Sequence, residues 1–187
     1  SYMKFIKFLL IIFITFPSTV KADLNKNLVN QLKEGGKIVF IRHAYAPGGG
    51  DPENFDINDC DTQRNLNDNG KIQAKKIGNF FKKNNISINK VISSEWCRCK
   101  ETAFLGFKNF ETQSFLNSFF SERFENNKNK QMKELKKYIE EWQSKENLLL
   151  VTHYVVISEA LGYASSSGEI VVSNKNLKKI GSLKIKY

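Results

Sequence analysis

Lys37-Ile38-Val39-Phe40-Ile41-Arg42-His43-Ala44 is the stretch on which the fold turns. Gly35-Gly36 precedes it and marks the end of a helical pattern carried by Leu24, Leu28, Val29 and Leu32. The run itself is short, apolar and β-branched, the form of a buried strand that stops at Arg42-His43. The same form returns at Leu148-Leu149-Leu150-Val151-Thr152-His153. Between the two runs, Asn67-Asp68 caps an expected helix from Asn69 to Lys83, with Ile72, Ala74, Ile77, Phe80 and Phe81 inside it. Val91 to Ser93 reads as another short strand, and a helix begins near Cys97. Residues 45–63, with Pro47, Gly48-Gly49-Gly50 and Pro52, read as loop, and residues 110–127 as a short strand and a loop. Met132, Leu135, Tyr138, Ile139 and Trp142 mark a further amphipathic helix, and one more runs from His153 to Gly162. Glu169 to Val172 and Leu183 to Tyr187 are the expected closing strands. Strands alternating with helices predict a three-layer α/β/α sandwich with a mostly parallel central sheet. Such sheets bind ligands at the carboxyl ends of their strands.

The rest of the composition sets bounds. The chain has 187 residues, 41% of them hydrophobic and 12% aromatic, which suits one globular domain and excludes a disordered chain. Met3, Lys4 and Lys7 lead into an apolar run from Phe8 to Phe16, and Val20-Lys21-Ala22 supplies small residues at a cleavage spacing. Residues 1–22 are therefore expected to form a secretory signal peptide, leaving 23–187 as the single domain of an exported, periplasmic or extracellular protein. The apolar run is far shorter than the ~20 residues of a membrane-spanning helix, so no stable membrane insertion is expected after its removal. The formal charge is +10, and loss of Lys4, Lys7 and Lys21, the only charged residues of that segment, leaves +7. A basic balance suits phosphorylated ligands, but it equally describes a solvated lysine-rich surface. Cys97 and Cys99 have the wrong spacing for a zinc knuckle, so no metal is expected.

The chain has only two histidines, His43 and His153, and each stands at the carboxyl end of an apolar strand. Alone, either would be an ordinary hydrogen-bonded residue at a strand end. Together, with Arg42 beside one of them, they suit phosphate: guanidinium grips its oxygens in a fork, and a neutral imidazole can attack phosphorus. Ser93-Ser94-Glu95-Trp96-Cys97-Arg98 adds a third strand end running into a helix, with Arg98 in its first turn, where unpaired amides favour an anion. A two-histidine phosphoesterase needs His-x-Thr/Ser; the tripeptides here are His43-Ala44-Tyr45 and His153-Tyr154-Val155.

Arg42-His43-Ala44 resembles the Arg-His-Gly/Ala signature of the histidine phosphatase superfamily, the phosphoglycerate mutase-like group. Ser93-Ser94 through Arg98 to Thr102-Ala103 resembles its second block, and Val151-Thr152-His153 its third. Gln63-Arg64-Asn65-Leu66 with Gly70 and Ala74 is similar to a segment of its short exported bacterial-type members. The resemblance runs from about Lys37 to Val172, with the blocks in order. It implies a phosphoglycerate mutase-like fold and a histidine acid phosphatase-like phosphoric monoester hydrolase. In that family His43 would become phosphohistidine before water releases inorganic phosphate, while Arg42, Arg98 and His153 hold the phosphoryl oxygens. Arg64 would either reach the substrate or brace the loop. The implied partner is a phosphorylated substrate, small molecule or phosphoprotein, with no cofactor and no nucleic acid. A phosphomutase, or a phosphate- or polyanion-binding module that has lost turnover, are the alternatives.

One departure stands out. Relatives carry a Glu in a Leu-Asn-Glu-like segment to protonate the leaving oxygen, whereas this chain reads Leu116-Asn117-Ser118. Glu122, Glu111, Asp51 or Glu53 would have to replace that acid. The cysteines fit an exported member: Cys60 pairs with either Cys97 or Cys99, and the odd count leaves one thiol over.

Overall fold

The computed structural model describes residues 18–187. Of the expected signal peptide over residues 1–22, residues 1–17 lie outside the described residues. Helix α1 (Ser18–Glu34) leads into β1 (Ile38–Arg42), and the expected helix after Asn67 is α2 (Asp68–Lys83). The Asn67 side chain accepts the Gly70 N–H, the cap its sequence position implied. Then follow β2 (Ile88–Ser93), α3 (Cys97–Phe107), β3 (Glu111–Thr112), the four-residue α4 (Glu122–Glu125) and α5 (Lys128–Glu141). The chain closes with β4 (Asn147–Thr152), α6 (Tyr154–Leu161), β5 (Glu169–Ser173) and β6 (Lys179–Lys184). Among the described residues, no helix is long and apolar enough to cross a membrane.

The six strands form one sheet in the order β3-β2-β4-β1-β5-β6. β3, β2, β4 and β1 run parallel; β5 is antiparallel to β1, and β6 is antiparallel to β5. Alternate strand residues face opposite layers, so the unbroken apolar runs are strands covered on both sides. Val39, Ile41, Leu149 and Val151 pack with Leu28 and Leu32 of α1, Ile77 and Phe81 of α2, and Ala103 of α3. Ile38, Phe40, Leu148 and Leu150 pack with Met132, Leu135 and Ile139 of α5 and Val156 and Ile157 of α6. The expected three-layer sandwich is thus the observed architecture. α2 and α3 cross at glycines: a Cβ on Gly78 would fall 2.0 Å from the Gly106 carbonyl oxygen.

Two elements differ from the sequence reading. The last strand spans Lys179–Lys184 rather than Leu183 to Tyr187. It is an edge strand with only Leu183 buried, so no apolar run marks its start. The 110–127 stretch also hides α4, and its aromatic residues divide between a buried Phe115 and an exposed Phe120, which removes any single period.

Candidate active site

Strand pairing brings the motif residues together. Arg42 pairs with Thr152 across β1 and β4, so His43 and His153 each lie one residue beyond the same rung of the ladder. Ser93 pairs with Val151 on the other side of β4, which sets Ser94 and the start of α3 beside His153. Backbone bonds extend the order past the strand ends: His43 N–H reaches the Thr152 carbonyl and Ser94 N–H the Val151 carbonyl, both at 2.9 Å. Thr102 then ties α3 to the loop after β1. Its Oγ1 accepts the Ala44 N–H at 3.0 Å and donates to the Arg98 carbonyl at 2.7 Å.

The result is one cavity of about 510 Å³, with Arg42, His43, Arg64, Arg98 and His153 all in its lining. His43, Arg98 and His153 are no more than 3% exposed. The imidazole rings of His43 and His153 stand edge to face with centroids 5.6 Å apart. His43 Nδ1 lies 2.8 Å from the Ala44 carbonyl oxygen, which can only accept, so Nδ1 carries the proton. Nε2 therefore holds a lone pair, and Arg98 Nε–H donates to it at 3.3 Å. His153 Nε2 is 2.8 Å from Ser94 Oγ, and Trp96 packs edge-on against its ring. Arg42 gives one Nη1–H to the Ser165 carbonyl at 2.7 Å and lies over the Tyr154 ring. Its Nε–H is buried without a partner among the described residues.

Arg64 lines the cavity and gives two of its donors to the loop, Nε to the Gly50 carbonyl and Nη1 to that of Ala46. Both of these bonds brace the loop. Gln63 caps α3 by accepting the Cys97 N–H at 2.9 Å. Cys60 and Cys97 form the disulfide, and Cys99 is the free, buried thiol. Burial pushes the Cys99 thiol up to about 12, so it is inert at neutral pH.

Ser118 lines the cavity where the missing acid was expected. Three of the four candidate substitutes do not. Glu111 is exposed on the short edge strand and pairs with Lys90, while Glu53 and Glu122 are exposed outside the cavity lining. Glu111 on β3, Glu122 at the start of α4 and Glu53 in a turn all face solvent, an orientation that sequence order alone cannot give. Asp51 does line the cavity, but as the ion-pair partner of Arg98, with Nη1–Oδ1 at 2.7 Å. Burial tends to raise its carboxyl pKa. The hydrogen bond and charge of Arg98, helped by Arg64 N–H and Trp96, outweigh that and hold it below the ordinary range. This salt bridge, the Ser94–His153 bond and the Tyr154 ring under Arg42 were not read from the sequence. Only Ser94, inside the quoted second block, carried a signal that could have found it.

Burial lowers the pKa of both imidazoles well below 6.5, and the adjacent Arg98 charge lowers them further. His43 and His153 are thus neutral at neutral pH, the form in which an imidazole attacks. Below pH about 6.5 the unfolded chain binds protons at both positions and the folded chain does not. The stability contributed by the neutral pair is fully present above that pH and is lost as pH falls toward the depressed native values. In phosphate-free buffer, denaturant unfolding should show stability falling by up to roughly 2.7 kcal/mol per pH unit in this window. The His43→Asn/His153→Asn double variant should flatten that slope; an unchanged slope would mean the imidazoles titrate normally.

No protein-family model matches the sequence. An 82-residue stretch, 44% of the chain, is 34% identical to the mitochondrial serine/threonine-protein phosphatase Pgam5 of Drosophila virilis, and equally to that of Drosophila mojavensis. The match spans about a quarter, 25%, of the length of those curated relatives. Among solved structures, the protein histidine phosphatase SixA complexed with tungstate superposes with a TM-score of 0.54 at 15% identity. That match covers 79% of this chain and 96% of SixA. Phosphoglycerate mutase from Thermus thermophilus superposes with a TM-score of 0.57 at 13% identity, covering 80% of this chain and 99% of the mutase. With sheet order, layers and strand-end cavity already in place, these superpositions show that the chain has the phosphoglycerate mutase-like fold.

Proposed function

We propose that this protein belongs to the histidine phosphatase superfamily and is a metal-independent phosphomonoesterase. The observation that carries this reading is the tautomer of His43. Its Nδ1–H is committed to the Ala44 carbonyl, so the Nε2 lone pair is presented among Arg98, Arg42 and His153 in one cavity. Nε2 attacks phosphorus in line, the N–P bond forms as the P–O bond to the leaving group breaks, and the leaving oxygen departs with the bonding electrons as its anion, to be protonated by water. Water then attacks the phosphohistidine, the N–P bond breaks, and inorganic phosphate leaves with His43 restored. Arg42, Arg98 and His153 hold the three equatorial oxygens, where negative charge is carried throughout. Burial and the charge of Arg98 lower the Arg42 and Arg64 pKa values from their usual positions, a crowding of cations that a bound dianion relieves. The similarity to Pgam5 over 82 residues and the shared fold with SixA support a phosphatase over other uses of the cavity.

The Cys60–Cys97 disulfide supports the further reading of an exported protein in an oxidising compartment, as the basic-apolar segment before Asp23 suggests. A specific observation favours one rival. Among the described residues, the only carboxylate lining the cavity is ion-paired, so a phosphate-binding module without turnover has the same geometry. Rapid quench of the wild type with a ³²P-labelled aryl phosphate, in the presence of EDTA, separates the two. A phosphatase accumulates acid-labile, base-stable label on the protein; the binding module acquires none and releases no phosphate.

A further inference from the structure

Asp51 sits in the loop between β1 and α2, and each of its carboxylate oxygens accepts two hydrogen bonds. Oδ1 receives Arg98 Nη1 at 2.7 Å and Arg64 N–H at 3.1 Å. Oδ2 receives Arg98 Nη2 at 3.2 Å and the Trp96 indole N–H at 3.1 Å. The pair is nearly dry, with the Arg98 side chain 4% and the Asp51 side chain 14% exposed. A buried carboxylate in a cationic pocket could be an internal stand-in for substrate, displaced when phosphate binds. The guanidinium geometry points elsewhere. Arg98 offers two bidentate edges, the Nη1–Nη2 end and the Nε–Nη2 side. Asp51 takes the end, while Nε–H points at His43 Nε2 on the other edge. Asp51 therefore lies behind the guanidinium, away from the place where phosphorus must sit to meet His43.

Resting on the phosphatase reading above, we propose that Asp51 is a positioning residue. It clamps the Nη1–Nη2 end of Arg98 so that the Nε–Nη2 edge meets the phosphoryl oxygens beside His43. Because the guanidinium is planar, fixing one edge fixes the direction of the other. The indole of Trp96 and the Arg64 amide hold the carboxylate in turn, which gives the glycine-rich loop before Asp51 a role at the site. Asp51 also supplies the one negative charge among the arginines of the described cavity lining. It tempers the hold on the product while keeping the catalytic edge aimed.

The test uses the full chain with its disulfide intact, comparing wild type with Asp51→Asn. Asn keeps the shape but loses the charge and one acceptor. A misaimed Arg98 should lower kcat on an aryl phosphate by about 10²-fold, the usual cost of an ångström-scale misplacement. Inorganic phosphate, measured by calorimetry, should bind at least as tightly as to wild type, because a repelling charge has gone. A kcat within twofold of wild type would overturn the proposal. So would phosphate binding weakened in proportion to kcat, which would mean general damage to the pocket. A second measurement needs no variant. Trp96 Nε1–H reports on Asp51, and the chain has only two tryptophans. Titrating ¹⁵N-labelled wild type with phosphate should shift the Arg98 Nε–H signal and leave the Trp96 indole signal in place. An indole signal that moves with occupancy would show Asp51 being displaced, and the clamp would be wrong. A wild type that neither binds phosphate nor turns over would remove the phosphatase reading and this inference with it. An active wild type with an unaffected Asp51→Asn variant would remove this inference alone.

Discussion

The His43→Asn variant is expected to lose turnover by roughly 10⁴–10⁶-fold, the scale on which removing a nucleophile acts, while it still folds and still binds phosphate. Asn can accept and donate near the Ala44 carbonyl but has no nitrogen lone pair with which to attack phosphorus. Arg42, Arg98 and His153 remain, so the anion site survives its nucleophile. The expected pattern is a collapse of kcat, inorganic phosphate affinity within a few fold of wild type, and no phosphoenzyme on rapid quench. Loss of phosphate binding along with turnover would mean that His43 holds the site together instead of attacking. Full activity in the variant would refute the covalent mechanism.

The sequence carried the parts of this site that sit on strand ends. His43 and His153 could be placed because each closes an unbroken apolar run, and such runs become central strands whose carboxyl ends face one crevice. Arg98 could be placed because a strand-to-helix junction is a local pattern. The Asp51–Arg98 pair was not legible. It links positions 47 apart through a loop whose path is set by glycines and by Arg64 gripping the Ala46 and Gly50 carbonyls. No periodicity encodes that path. Of the two cysteine pairings left open, the choice of Cys97 over Cys99 depends on helix phase. α3 turns the Cys99 side chain inward to a fully buried position beside His153, which removes it from Cys60. The closing strand starts earlier than the expected Leu183 for a simpler reason: an exposed edge needs few apolar residues, so no apolar run marks its start at Lys179.

Ser118 leads to the second large effect. Cleaving a phosphomonoester of an alkyl alcohol calls for a proton on the leaving oxygen, and a serine hydroxyl is too weak an acid to give one. Among the described residues, the only carboxyl lining the cavity is that of Asp51, which Arg98 keeps ionised and turns away from His43. Leaving groups must then depart largely as anions, so chemical rates should fall steeply as the leaving alcohol becomes more basic. Aryl phosphates should be hydrolysed well, alkyl phosphates poorly. The cavity mouth agrees, since Phe120, 70% exposed, and Tyr154 offer aromatic surface to an aryl group. Introducing a carboxylic acid by Ser118→Glu should raise the alkyl phosphate rate by about 10²–10⁴-fold and the aryl rate far less, flattening the dependence. Single-turnover rates across substituted phenyl and alkyl phosphates would measure it. Similar wild-type rates on both classes would require an acid already in place. By position that acid could only be Asp51, and Asp51→Asn would then lose alkyl phosphates selectively, whereas loss of a clamp on Arg98 slows both classes alike.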